Sequence, residues 1–259
     1  MLQARKYVVI AVAVLGLAVA SCADDDSSSG GATAVSGRVT VFAAASLTAA
    51  FSAIGDAFKT ANRGTNVTFN FASSSDLVTQ INEGAAADVY ASADEANMQK
   101  LVDAEGNAAD PQVFATNSLQ IIVQPGNPKR IKTLADLANP NILYVTSSPE
   151  VPIGKYAAQA LATARVTVTP VSLEENVKGI VTKVTLGEAD AGIVYTTDVI
   201  AAGDQAEGVD IPADANVIAT YPIVVTKAAR NPAGASAFSE FVRSDQGQKI
   251  LAGYGFTSP

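Results

Sequence analysis

Residues 38–58, RVTVFAAASLTAAFSAIGDAF, contain the pattern that decides the fold. The apolar run at 38–42 is typical of a buried β-strand. At 47–58, large apolar residues recur at steps of four, three and four, which is the stripe of an amphipathic helix. Because the small residues 43–46 lie between the two, the sequence predicts a strand that leads through a tight turn into a helix.

A second unit of the same construction follows. Residues 66–71 alternate apolar and polar side chains, 72–75 read ASSS, and a helical pattern then begins at Leu77 and stops near Gly84. Further strands are predicted at 88–91, 119–123, 142–145, 191–195 and 221–226, and further helices at 156–164, 177–184 and 235–251. The alternation of strands and helices predicts an α/β fold with mostly parallel sheets.

The composition indicates a folded, acidic protein. Its 259 residues are 48% hydrophobic, which is enough for a sizeable core. There are 17 Lys and Arg residues against 25 Asp and Glu residues, so the formal net charge is −8. This balance argues against a nucleic-acid partner, because such binding depends on basic patches.

Several classes of catalytic and metal-binding site are excluded by residue types and motifs that the sequence lacks. The chain has no His and one Cys, which excludes Ser–His and Cys–His catalytic pairs, imidazole metal sites and an internal disulfide. The motifs G-x-S-x-G, S-x-x-K, G-x-G-x-x-G and the P-loop are also absent. We therefore predict that the protein is not an enzyme and has no metal site or cofactor of its own.

The N-terminus is typical of a targeting segment. Two basic residues precede the apolar run 7–20, which is shorter than the about 17–25 residues of a membrane-spanning helix and fits a secretory signal. The run ends in Val-Ala-Ser-Cys at 19–22, which resembles a bacterial lipobox; the alternative is a buried or free cysteine. We predict a signal peptide at 1–21, lipidation of Cys22 and a flexible tether at 22–37. The protein would then be anchored to the cell membrane outside the cytoplasm, without spanning it.

Polar or small residues collect where the predicted strands lead into helices. Ser46 and Ser74 stand at two such junctions, and each could be a helix N-cap and nothing more. They could also serve an anion site, because the free N–H groups and dipole of a helix N-terminus attract negative charge. Residues 151–154 and 174–177 begin two further helices, and Tyr195 ends a strand. The alternatives are an ordinary loop at 151–154, a plain helix cap at 174–177 and a tyrosine of the core at 195.

Five segments together indicate a family. In chain order they resemble the periplasmic molybdate-binding proteins of ABC transporters, and the resemblance extends from Arg38 to Pro259. The segments are VFAAASL at 41–47, FASSS at 71–75, ADVYASAD at 87–94, VPIGKYA at 151–157 and GEADAGIVY at 187–195.

The resemblance implies a two-lobed type II periplasmic-binding-protein fold with the ligand in the interlobe cleft. The first lobe would comprise 38–120 and 225–259, and the second lobe 121–224. The chain would cross between the lobes near Gln120–Gln124 and Tyr221–Val225.

The resemblance also implies a set of ligand donors. Hydroxyl and N–H groups of Ser46 and Ser74, the backbone N–H groups of Ile153 and Val177, and the Tyr195 hydroxyl would bind the oxyanion. All five are neutral donors, which suits a fully deprotonated tetrahedral anion that offers only acceptors.

Three acidic residues depart from the family pattern. Asp76 follows the serine triplet, and Glu174 and Glu175 precede Val177. A carboxylate that faced a bound dianion would repel it unless protonated or turned away. The larger Ile153, where the family often has Ala, could also reshape the wall of the site.

The function that the resemblance implies is capture of molybdate, with tungstate as a second ligand, and delivery to an ABC transporter permease. We expect a monomer. The alternatives are a binding protein for another tetrahedral oxyanion such as sulfate or phosphate, one for a ferric-anion complex, and a surface adhesion lipoprotein without a small ligand.

Overall fold

The computed structural model describes residues 35–259. The predicted signal peptide, Cys22 and most of the predicted tether lie outside the described residues. Across the described residues, no helix combines the length and the apolar character needed to cross a membrane.

The described residues form ten strands and eight α-helices in an α/β arrangement, which confirms the predicted fold class. The strands are β1 (Gly37–Ala44), β2 (Thr65–Ala72), β3 (Val89–Ala91), β4 (Gln112–Asn117), β5 (Leu119–Val123), β6 (Tyr144–Ser147), β7 (Ser172–Glu174), β8 (Ala191–Tyr195), β9 (Glu207–Asp210) and β10 (Ala219–Val225). The helices are α1 (Thr48–Ala61), α2 (Ser74–Asn82), α3 (Glu95–Asp103), α4 (Pro152–Thr163), α5 (Val177–Thr185), α6 (Thr196–Ala202), α7 (Pro232–Arg243) and α8 (Asp245–Gly253).

The strands form two five-stranded sheets. Their orders are β2-β1-β3-β10-β4 and β7-β6-β8-β5-β9. In each sheet two neighbouring pairs are parallel and two are antiparallel, so the prediction of mostly parallel sheets is wrong. The antiparallel pairs all involve β5 or β10, the strands at which the chain has just passed from one sheet to the other. Such a strand arrives without the crossover helix that a parallel neighbour requires.

We call 37–117 and 219–259 the first lobe and 119–210 the second lobe, according to the sheet that each strand joins. This corrects both predicted crossings. The segments Gln120–Gln124 and Tyr221–Val225 lie largely within β5 and β10. Most of their apolar side chains are buried, as expected of strands in the core rather than of a crossing. The chain instead crosses at Ser118 and again between β9 and β10.

The two crossings are hydrogen-bonded to each other. The Asn216 side chain accepts from the Leu119 N–H at 3.0 Å and donates to the Leu119 carbonyl oxygen at 3.0 Å. One amide side chain therefore satisfies the backbone at the start of β5, one residue before the pairing with β9 begins at Gln120.

An aromatic cluster fixes the helix that follows β1. Phe51 of α1 packs against Phe114 and Phe238 with ring centroids 5.6 and 6.1 Å apart, and Phe58 lies 5.4 Å from Phe238. Because Leu47 is also fully buried, the turn between β1 and α1 is held in place from both sides. This turn contributes the first side chain of the candidate site.

Candidate functional site

A cavity lies between the lobes, with about 210 Å³ of unfilled space that includes its opening to solvent, and all five residues predicted for the ligand line it. Its lining is drawn about equally from the two lobes. The first lobe contributes Ala44, Ala45, Ser46, Ser73, Ser74 and Ala93, and the second contributes Val151, Pro152, Ile153, Asn176, Val177 and Tyr195.

Ser46 is not a helix cap. It lies in the 3₁₀ turn Ala45–Leu47, and no side chain caps this turn or the start of α1. Its Oγ is 3.1 Å from the Tyr221 hydroxyl, and both residues are buried. The sequence analysis did not predict this contact with Tyr221, because the two residues are 175 positions apart and no local pattern indicates it.

Ser74 is not a cap either, because its neighbour Ser73 has that role. Ser73 Oγ accepts from the Asp76 N–H at 3.1 Å. Ser74 Oγ accepts the Ala93 N–H at 2.9 Å, and the Tyr90 hydroxyl donates to the Ser74 carbonyl oxygen at 2.9 Å. Since the Ser74 hydroxyl already accepts from the protein, its own proton is free to be donated into the cavity.

Ile153 and Val177 stand at helix N-termini, where the first N–H groups have no acceptor within the helix. Ile153 follows Pro152 at the start of α4, and the N-cap there provides no side-chain bond. At α5 the Asn176 side chain accepts from the Lys178 N–H at 2.9 Å, which leaves the Val177 N–H outside that cap. Both helices therefore begin at the cavity wall with unused backbone donors and the positive end of their dipoles.

Tyr195 has a buried hydroxyl without a hydrogen-bond partner in the described part of the chain. The residue is 1% exposed, and its ring lies 5.9 Å from Tyr221 and 6.5 Å from Tyr156 between centroids. Burial is the main cause that raises the pKa of Tyr195 well above its ordinary value, and the neighbouring tyrosines add to it. The phenol thus stays protonated and is a neutral donor at the cavity.

An ion pair beneath the cavity positions Tyr195, and the sequence analysis missed it. Lys178 Nζ is 2.7 Å from Asp198 Oδ1, and Asp198 Oδ2 accepts from the Tyr195 N–H at 3.3 Å. Burial raises the pKa of Asp198, and Lys178 opposes that rise. The pair links the start of α5 to the end of β8, so it holds the Val177 and Tyr195 donors relative to each other.

The three acidic residues that depart from the family pattern do not line the cavity. Asp76 and Glu175 are exposed. Glu174 accepts from the Ser172 hydroxyl at 2.6 Å and is 3.4 Å from Lys183 Nζ. None of these three carboxylates therefore faces the cavity, where it would repel a bound dianion. Ile153 is buried and belongs to the cavity wall, as expected.

Comparisons with known proteins identify related sequences and the same fold. The sequence model of the bacterial extracellular solute-binding protein family matches residues 39–257. The molybdate-binding protein ModA of Mycobacterium tuberculosis is 40% identical over 251 residues, which cover 97% of this chain and 96% of that protein. ModA of Escherichia coli is 35% identical over 266 residues, covering 98% and 99% respectively.

A solved structure gives the same architecture. The periplasmic molybdate-binding protein of Azotobacter vinelandii superimposes with a TM-score of 0.74 at 21% identity, over 85% of this chain and 99% of that one. This likeness establishes the two-lobed α/β fold predicted from the sequence.

Proposed function

We propose that this chain, which belongs to the family of bacterial extracellular solute-binding proteins, captures molybdate and also tungstate. It would deliver these anions to an ABC transporter permease. The relatives named as molybdate-binding proteins match it over nearly their whole length. The proposal assigns the cargo to the cavity between the lobes.

The observation that carries the proposal is the convergence of neutral donors from both lobes on a cavity without a carboxylate in its lining. A fully deprotonated tetrahedral oxyanion has only acceptors, so every contact with these donors is favourable. The unpartnered Tyr195 hydroxyl adds a specific reason for a ligand. A buried donor without a partner costs about 1–3 kcal/mol, and a bound anion would remove that cost.

In this proposal each donor has its own task. The hydroxyls of Ser46 and Ser74 bind from the first lobe, while the N–H groups of Ile153 and Val177 and the Tyr195 hydroxyl bind from the second. Because the donors come from both lobes, the anion is fully enclosed only when the cleft is closed. Enclosure excludes water and strengthens each of these hydrogen bonds.

A lining without a carboxylate disfavours hydrogen phosphate, because the proton of that anion would have no charged acceptor there. Sulfate carries no proton, so it must be discriminated by size. Being smaller than molybdate, it cannot contact all the donors at once. One unpaired donor costs about 1–3 kcal/mol, which is roughly 5- to 150-fold in Kd.

The test is a calorimetric titration of the protein with molybdate, tungstate, sulfate and phosphate under identical conditions. We expect tight binding of molybdate and tungstate and weaker binding of sulfate by the factor given above. Tighter binding of sulfate or phosphate would favour the alternative oxyanion function. No heat with any of the four would leave a non-binding surface lipoprotein as the better description.

The remaining parts of the proposal concern location and movement. We propose that the mature protein is a monomer held outside the cytoplasm by a lipid on Cys22. The two lobes, 37–117 with 219–259 and 119–210, would move as domains about the crossings at Ser118 and 211–218. The hydrogen bonds between Asn216 and Leu119 lie at these crossings and support a hinge there.

A further inference from the structure

A buried carboxylate, one residue along the chain from the cavity lining, faces a lysine on the opposite lobe. Asp94 caps α3, and its side chain is 1% exposed. Its Oδ1 accepts from the Asn97 N–H at 3.0 Å and from the Asn97 side chain at 2.9 Å. Its Oδ2 has no hydrogen-bond partner among the described residues and lies 3.6 Å from Lys155 Nζ. Lys155 is in α4 of the second lobe, two residues after Ile153.

The same face of α3 makes two more contacts across the cleft. Asp94, Asn97 and Lys100 recur at steps of three, so they lie on one face. The Asn97 side chain donates to the Glu150 carbonyl oxygen at 3.5 Å, and Lys100 Nζ is 3.6 Å from Glu150 Oε2. Where the start of α4 meets α3, each lysine thus faces a carboxylate on the other lobe. The Lys100–Glu150 pair is largely exposed and contributes little by itself.

The pair of Asp94 and Lys155, which we call the closing pair, is different because one partner is buried. A buried carboxylate that lacks a partner is costly, and a lysine across the cleft compensates it only when the lobes are together. Opening the cleft would return both charges to water.

The Asp94 charge also lies close to the proposed anion site. Ala93, the preceding residue, lines the cavity and donates its N–H to Ser74. The negative charge of Asp94 is felt by Tyr156, whose pKa is raised by burial first and by Asp94 second. Without Lys155, this carboxylate would repel a dianion in the cavity.

We propose that the closing pair is the contact that holds the cleft shut over the ligand. Lys155 acts as a positioning residue: it neutralises Asp94 and keeps the N-terminus of α4, with the Ile153 N–H, against the first lobe. This inference rests on the proposed oxyanion function of the cavity. It predicts that the pair controls how fast the ligand leaves.

A double-mutant cycle tests this with molybdate as the probe. The variants are Lys155→Met, Asp94→Asn and the two combined; asparagine is chosen because it preserves the cap of α3. In the wild-type background, Lys155→Met should raise Kd about tenfold, mainly through faster dissociation, since it leaves the buried carboxylate uncompensated. In the Asp94→Asn background the same change should alter Kd by less than about twofold.

The matched control is Lys100→Met, which removes an exposed lysine from the same cleft surface and should change Kd by less than about twofold. If Lys155→Met weakens binding equally in both backgrounds, Lys155 acts only as a positive charge near an anion and the closing pair is overturned. An equal loss in Lys100→Met would overturn it too, because any cleft lysine would then suffice.

A second measurement judges the closing pair even if the proposed cargo is wrong. Spin labels at the exposed positions Ala96→Cys and Ala162→Cys, in a Cys22→Ser background, report the distance between α3 and α4. The short-distance population should fall in Lys155→Met and recover in the double variant with Asp94→Asn. Equal populations in all variants would overturn the closing pair. Failure of the wild type to bind any of the four oxyanions would overturn only the proposed function.

Discussion

Adjacent serines at the start of α2 have different roles, although the sequence presents them as equals. Ser73 caps the helix through the Asp76 N–H. Ser74 Oγ accepts a hydrogen bond from the Ala93 N–H, so its own hydroxyl proton is available to a ligand in the cavity. Which of the three serines in 73–75 caps the helix depends on where the helix begins, and that is set by the packing of α2 rather than by the residue type.

Ser74→Ala should separate binding from capping. It removes a hydroxyl that donates to a charged ligand, a bond worth about 1.5–3 kcal/mol, so molybdate affinity should fall roughly 10- to 150-fold. Ser46→Ala should behave likewise. Calorimetric titration measures the affinity, and thermal unfolding without ligand measures the stability.

Ser73→Ala is the matched control for that measurement. It should lower the ligand-free stability by about 0.5–2 kcal/mol, as loss of a helix cap does, and should change Kd less than Ser74→Ala does. If Ser74→Ala instead lowers the melting temperature and binds molybdate normally, the donor role assigned to Ser74 is wrong.

Tyr195→Phe should lower the molybdate affinity without lowering the stability of the ligand-free protein. The variant removes a buried hydroxyl that has no hydrogen-bond partner among the described residues, so the unfolding free energy should stay constant or rise by about 1 kcal/mol. The same change deletes a donor to the anion, so molybdate Kd should rise about tenfold or more. Urea unfolding without ligand and titration with molybdate give the two quantities.

Tyr144→Phe provides the control for Tyr195→Phe. The Tyr144 hydroxyl is also buried and unpartnered among the described residues, but it does not line the cavity. Burial raises the pKa of Tyr144 to about 12, so it too is a neutral phenol. It should match Tyr195→Phe in stability and leave Kd unchanged. A similar loss of affinity in both variants would mean that the effect on binding is indirect.

The junction at the start of α4 depends on the absence of a side chain at Gly154. A Cβ on Gly154 would overlap the carbonyl oxygens of Ser147 and Ser148. The first turn of α4 therefore lies directly on the end of β6, and this close packing sets where the Ile153 N–H points.

Gly154→Ala should displace the first turn of α4. Overpacking of this kind costs about 1–3 kcal/mol of stability, and molybdate binding should weaken because the Ile153 N–H moves with the turn. Gly253→Ala, in the last residue of α8, is the control, since its Cβ would meet nothing within 4 Å. Equal stability of the two variants in urea unfolding would contradict the close packing.

Secondary structure was predictable where the apolar pattern is strong and local. The β1–α1 and β2–α2 units were predicted because their apolar residues recur with the correct period. The predicted helix 235–251 is two helices, α7 and α8, because Ser244 adopts an extended conformation and caps α8 through the Gly247 N–H. Helix α3 was missed because Met98 and Leu101 are its only buried large apolar residues.

Long-range pairings were not predictable from one sequence. The partners Ser46 and Tyr221, and Asn216 and Leu119, lie 175 and 97 residues apart. Their contacts exist only once the chain has crossed twice between the sheets. The five proposed donors could be named in advance because the family resemblance, rather than any spacing in this chain, supplied them.

The proposed binding site and the proposed membrane attachment lie in separate parts of the chain. Every residue that lines the cavity lies between Ala44 and Tyr195. The predicted signal and Cys22 lie before the described residues, and removal of 1–21 would change the formal net charge from −8 to −10. An acidic protein gains nothing from anionic lipid surfaces, so the proposed attachment to the membrane depends on the proposed lipid at Cys22.

Cys22→Ala should therefore abolish membrane attachment and leave binding intact. After export, the variant should appear in the soluble extracytoplasmic fraction and should not incorporate labelled fatty acid, while its molybdate Kd should equal that of the wild type because no cavity residue is touched. Ser29→Ala, a change within the predicted tether, should remain attached. Fractionation, fatty-acid labelling and titration on the same preparations measure all three properties.

Membrane retention of correctly exported Cys22→Ala would refute the lipid anchor, since a second attachment would then be needed. Loss of molybdate binding in that variant would contradict the separation of site and anchor.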